Sequence, residues 1–122
     1  MKFQIKHQRL SWQQRVSLAL LASLAAWTAP AAAVDEAAQL ALGKRLFTHG
    51  TVPACAVCHT LQAAGAEGAI GPILDELKPD EARVAKALRN GLGQMPSYKD
   101  KLSDAEITAL ARYVAKMSGG AR

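Results

Sequence analysis

Two thiols and an imidazole stand together in Cys55-Ala56-Val57-Cys58-His59, with the cysteines three residues apart and the histidine directly after them. This is the C-x-x-C-H spacing for covalent attachment of a c-type haem: the thiols add across the two vinyl groups of one porphyrin, and the histidine reaches the iron from one face. Three other chemistries use the same residue types. Zinc needs four ligands arranged as a tetrahedron, whereas the chain offers two cysteines and, beyond its N-terminal segment, only His49 and His59. A thioredoxin-like pair belongs at the end of a strand in a βαβ unit, but the flanks here are alanine-rich and helical in pattern. A plain disulfide leaves His59 without a role. Haem accounts for all three residues.

The second axial ligand decides what such a haem is for. Met95, Met117 and His49 are the candidates. Met117 falls on the apolar stripe of the last predicted helix, where packing explains it. His49 lies at a predicted helix end, where a histidine suits the negative pole. Met95 sits in Gly91-Leu92-Gly93-Gln94-Met95-Pro96, a run with no apolar periodicity. Its glycines let backbone approach a porphyrin and its proline stiffens the turn, so the segment favours Met95 as the soft thioether ligand.

The elements that must position these residues read as helices joined by irregular loops. A first helix is expected from about Asp35, capped by that carboxylate, with Leu42, Leu46 and Phe47 on one face and Gly43 allowing another helix close. It ends at Thr48-His49-Gly50. A short helix or turn carries the cysteines, and residues 65–72 form a glycine-rich loop. A second helix is expected to begin at Pro79, with Val84, Ala87 and Leu88 as its stripe and Gly91 as its stop. The last opens on the capping box Ser103-Asp104-Ala105-Glu106, followed by Ile107, Leu110, Ala111, Val114 and Met117 along one face.

The N-terminus carries Lys2, Lys6, Arg9 and Arg15, then an apolar run from Val16 to Trp27, then Ala31-Ala32-Ala33. That order predicts a secretory signal over residues 1–33, cleaved after Ala33. The apolar run is shorter than the ~20 residues needed to span a bilayer, so no stable membrane anchor is expected after cleavage. Of the 15 Lys and Arg, four precede Val34 and none of the 10 acids do, leaving eleven against ten in residues 34–122. The basic balance of the whole chain is therefore a property of the targeting segment, and no nucleic-acid role is assigned. Residues 34–122 suffice for one domain whose only aromatic side chains are Phe47, Tyr98 and Tyr113. So small an aromatic supply predicts that a porphyrin completes the core.

From Leu42 to Met117 these motifs resemble a small class I c-type cytochrome. The resemblance rests on Gly43 and Phe47, the CAVCH motif, Gly71-Pro72, Met95-Pro96 and Tyr113. It implies an all-α fold of helices and loops wrapped around one covalent haem c, held by Cys55 and Cys58 with His59 and Met95 on the iron. It further implies that Gly43 and Phe47 meet the region of Tyr113 where first and last helices cross, and that the Pro72 carbonyl accepts a hydrogen bond from the free ring nitrogen of His59. Residues 71–98 are similar to the cytochrome subunit of bacterial sulfite dehydrogenases, in which a molybdenum subunit oxidises sulfite. The expected function is periplasmic one-electron transfer as such a subunit, with no catalysis by the chain alone. The alternatives are a free carrier serving another dehydrogenase or a terminal oxidase, and a haem enzyme or gas sensor with an open iron site.

The haem edge is expected to emerge near Ala54, Ala56, Val57, Ile70 and the turn from Gln94 to Pro96. Lys99 and Lys101, with Lys44 and Arg45, are candidates for steering an acidic redox partner.

Overall fold

The computed structural model describes residues 31–121, with side chains from Asp35 onward; residues 1–30, and with them most of the expected signal, lie outside the described residues. Five helices and one small hairpin follow in order: α1 (Ala31–Thr48), α2 (Cys55–Cys58), β1 (Thr60–Leu61), β2 (Ala66–Glu67), α3 (Leu74–Leu77), α4 (Glu81–Asn90) and α5 (Asp104–Ser118). A single 3-10 turn, Gln62–Ala64, links the two strands, which pair antiparallel with Thr60 opposite Glu67 and Leu61 opposite Ala66. The helical expectation holds, with this hairpin and α3 as additions that segments of two and four residues are too short to announce by periodicity.

α1 starts upstream of the expected Asp35 cap and runs through the expected boundary at Ala33, because alanines propagate a helix readily. Asp35 is consequently an interior residue, and its Oδ2 accepts from Gln39 Nε2 one turn on at 3.1 Å. The helix closes where Thr48 Oγ1 donates to the Lys44 carbonyl and the His49 and Gly50 N–H groups converge on Arg45.

α4 begins two residues later than expected. Asp80 is its cap, accepting from the Arg83 N–H at 2.7 Å, and Pro79 stands just outside. A carboxylate that satisfies an orphan N–H outcompetes proline's preference for the first helical position. α5 starts on the expected capping box: Ser103 Oγ accepts from Glu106 N–H, and the Glu106 carboxylate accepts from Ser103 N–H at 2.9 Å.

α1 and α5 cross at Gly43. A Cβ there would collide with the Tyr113 Cβ and the Ala109 carbonyl, so only glycine permits this approach. Phe47 packs on Tyr113 with ring centroids 6.2 Å apart and planes tilted by 56°. The Glu36–Lys116 ion pair and a hydrogen bond from Arg112 to Gln39 flank the crossing. Leu46, Phe47, Leu61, Leu88, Ile107, Leu110 and Val114 form the buried core. Among the described residues no helix is long and apolar enough to cross a membrane.

Candidate functional site

α2 presents the motif at the mouth of a cleft of about 840 Å³. Cys55, Cys58 and His59 line it with Met95, and the wall of α4 meets them through Val84, Ala87 and Leu88. Phe47, Leu110 and Val114 supply apolar surface from the two crossing helices. Cys55 and Cys58 are not joined in a disulfide, which leaves both sulfurs for attachment of a porphyrin. Burial pushes the Cys55 thiol above its ordinary range, and the nearby Thr51 hydroxyl opposes this only in part.

His59 is fixed from two directions. Its Nδ1 lies 3.0 Å from the Pro72 carbonyl, which can only accept, so Nδ1 carries the proton and Nε2 of the neutral ring keeps a free lone pair. Gly71 packs flat on the imidazole: a Cβ on it would stand 2.5 Å from Cε1 and 2.8 Å from Nδ1. The loop reaches this position because the N–H groups of Ile70 and Gly71 both donate to the Cys58 carbonyl, at 3.1 and 2.7 Å.

Met95 lines the same cleft from a tight turn. Its N–H and carbonyl bond reciprocally with Leu92 at 3.0 Å each, and Gly91 and Gly93 adopt φ of +71° and +59°, which glycine reaches without strain. The other two ligand candidates are elsewhere. His49 is exposed at the end of α1, with Nδ1 2.8 Å from Thr48 Oγ1, and Met117 packs against the apolar core. Neither lines the cleft.

The lysine and arginine side chains lining the cleft are Lys86 and Arg83, both on α4; among the described residues no carboxylate lines it. An apolar slot with two cations and no acids fits a flat apolar macrocycle that carries two carboxylates. Sequence reasoning missed this pair, whose i and i+3 spacing on the face of Val84 and Ala87 was the available signal.

The family model described as cytochrome c oxidase, cbb3-type, subunit III matches residues 38–114. Cytochrome c6 of Picosynechococcus sp. is 33% identical over 82% of this chain and 88% of its own length. The chain belongs to the class I c-type cytochromes. It carries covalently bound haem c and transfers electrons, as the cytochromes of this family do. The crystal structure of the c-type cytochrome SorU from Sinorhizobium meliloti shares 50% identity with it, covering 69% of this chain and 95% of that one, with a TM-score of 0.64. The cbb3-type oxidase subunit CcoP of Azospirillum sp. is 35% identical over 70% of this cytochrome, which spans 31% of CcoP.

The mouth of the cleft differs in part from the expected rim. Ala54, Ile70, Gln94, Met95 and Pro96 line it, but Ala56 is partly buried against the core and Val57, though exposed, is not in the lining. Leu92, 71% exposed, joins Ile70 at the mouth instead. Lys101 is exposed too, and its Nζ donates to the Val52 carbonyl at 2.9 Å, which keeps its charge but fixes its position. Lys99, Lys44 and Arg45 remain exposed, without side-chain partners among the described residues.

Proposed function

We propose that this cytochrome carries single electrons in the periplasm, with its haem bound through Cys55 and Cys58 and the iron held between His59 and Met95. The observation that carries the reading is the convergence of these four side chains on one cleft, while His49 and Met117 stand outside it. Bound haem supplies an iron that takes up and gives back one electron. With His59 and Met95 both holding the iron, no ligand position would be left for a substrate, which suits electron exchange alone. Pro72 holds the imidazole in the tautomer a metal ligand requires and increases its electron donation. The apolar walls disfavour the extra positive charge of the ferric state and raise the potential.

The partner in this reading is a molybdenum-containing sulfite dehydrogenase subunit, and this chain is its electron acceptor. The wording of residues 71–98 supports it, as does 50% identity with SorU against 33% and 35% with the c6 and CcoP relatives. A free carrier delivering electrons to a terminal oxidase is the second reading, favoured by the match of residues 38–114 to the cbb3-type oxidase family. Residues 1–33 act as the export signal in either case.

Met95→Ala is expected to retain haem but give a high-spin, carbon-monoxide-binding iron of lower potential, whereas Met117→Leu leaves the low-spin spectrum intact. A low-spin spectrum surviving Met95→Ala would refute the ligand assignment. Rapid sulfite-dependent reduction by a molybdenum sulfite dehydrogenase, with co-purification, is expected of the subunit. Oxidation by a cbb3-type oxidase without sulfite-dependent reduction would select the carrier.

A further inference from the structure

Tyr98 is absent from the ligand set proposed above, yet it is only 3% exposed and lines the haem cleft. Its Oη donates to the Pro53 carbonyl at 2.9 Å, a contact that spans 45 residues of sequence. Three residues on, Lys101 Nζ donates to the adjoining Val52 carbonyl at 2.9 Å, with the ammonium 5.6 Å from the Tyr98 ring centroid. Two consecutive carbonyls are thus held by two side chains from the turn that follows Met95. Both carbonyls belong to the segment that leads directly into Ala54 and Cys55. The other side of the turn is tied to α4, through Tyr98 N–H on the Leu88 carbonyl at 2.7 Å and Ser97 Oγ on the Arg89 carbonyl at 2.6 Å.

We infer that Tyr98 and Lys101 are positioning residues that clamp the Met95 turn onto the Cys55 segment and keep the axial methionine position closed. The inference deepens the proposed His59/Met95 ligation and rests on it. A thioether is a weak, neutral ligand, so the fraction of molecules in which it leaves the iron depends on how freely its loop can swing away. The bonds to α4 alone hold one side of that loop. The bonds to Val52 and Pro53 hold the far side, joining the wall that carries Met95 to the wall that carries Cys55. Burial pushes the Tyr98 phenol up, so it remains a protonated donor well above neutral pH.

The test uses the ferric holoprotein and imidazole as a competing iron ligand. Wild type, Tyr98→Phe and Lys101→Met are compared by imidazole affinity, by the charge-transfer band of methionine-ligated ferric haem, and by potential. Ile107→Val, a core truncation at a side chain that makes none of the clamp's hydrogen bonds, serves as the control for general destabilisation. Tyr98→Phe is expected to bind imidazole about three- to tenfold more tightly, the scale of one lost hydrogen bond, with a weakened band and a lower potential. Lys101→Met moves in the same direction by less and reports on the clamp if Tyr98→Phe fails to mature. Affinity and band unchanged in the folded clamp variants would overturn the inference while leaving the ligand assignment standing. An equal change in Ile107→Val would also overturn it, since the effect would then be general loosening. Absence of the band in wild type would overturn the Met95 assignment and the clamp together.

Discussion

At His59 the two ring nitrogens have separate tasks, and residues without chemistry of their own decide which does which. The Pro72 carbonyl accepts a hydrogen bond from Nδ1–H, and Gly71, with no side chain of its own, lets the loop backbone lie against the ring. Gly71→Ala therefore places a methyl group inside the contact distance of the imidazole. The ring or the loop must move, and overpacking of this kind costs about 1–3 kcal/mol. The expected outcome is a haem that stays attached but becomes partly high-spin, with a lower potential, read from the visible spectrum and a redox titration. Lys99 and Lys101 also separate at this scale. Charge reversal at Lys99 tests partner steering alone, whereas the same change at Lys101 also breaks its bond to Val52.

At the scale of elements, the crossing of α1 and α5 sets the back wall of the cleft, because Phe47 lines the cleft from α1 and Leu110 and Val114 line it from α5. Their separation is limited by Gly43 against Tyr113 and Ala109. Gly43→Ala should push the helices apart and lower stability by about 1–3 kcal/mol, even though alanine is the better helix former. A denaturant titration of the holoprotein checks this: an unchanged midpoint would mean the crossing relaxes freely. Asp80 caps α4 at its start, and Val84, Ala87, Arg83 and Lys86 of that helix line the cleft.

At the scale of the molecule, the largest fully buried side chains are Phe47, Leu61, Leu88, Ile107 and Leu110, and the cleft occupies about 840 Å³ beside them. A chain this short with so large an open apolar slot lacks the burial that offsets its conformational entropy. Haem completes the core, so the doubly substituted Cys55→Ser/Cys58→Ser chain, which cannot attach it, should show no cooperative thermal transition by circular dichroism. A sharp melt near that of the holoprotein would refute this.

The haem motif, the capped start of α5, the Gly91 stop and the place of Met95 in a turn outside any helical stripe were legible in the sequence because each depends on neighbours within a few residues: a spacing, a cap, a break in periodicity. The expectation that Gly43 and Phe47 meet Tyr113 came from resemblance, and the packing agrees with it. Tertiary structure alone decided the rest. It tied Lys101 to the Val52 carbonyl, brought Tyr98 across 45 residues to Pro53, gathered Arg83 and Lys86 at a cleft with no acids among the described residues, and kept His49 and Met117 away from it. Those outcomes depend on which side chains arrive together after the helices cross, and contacts between distant segments leave no local pattern to read.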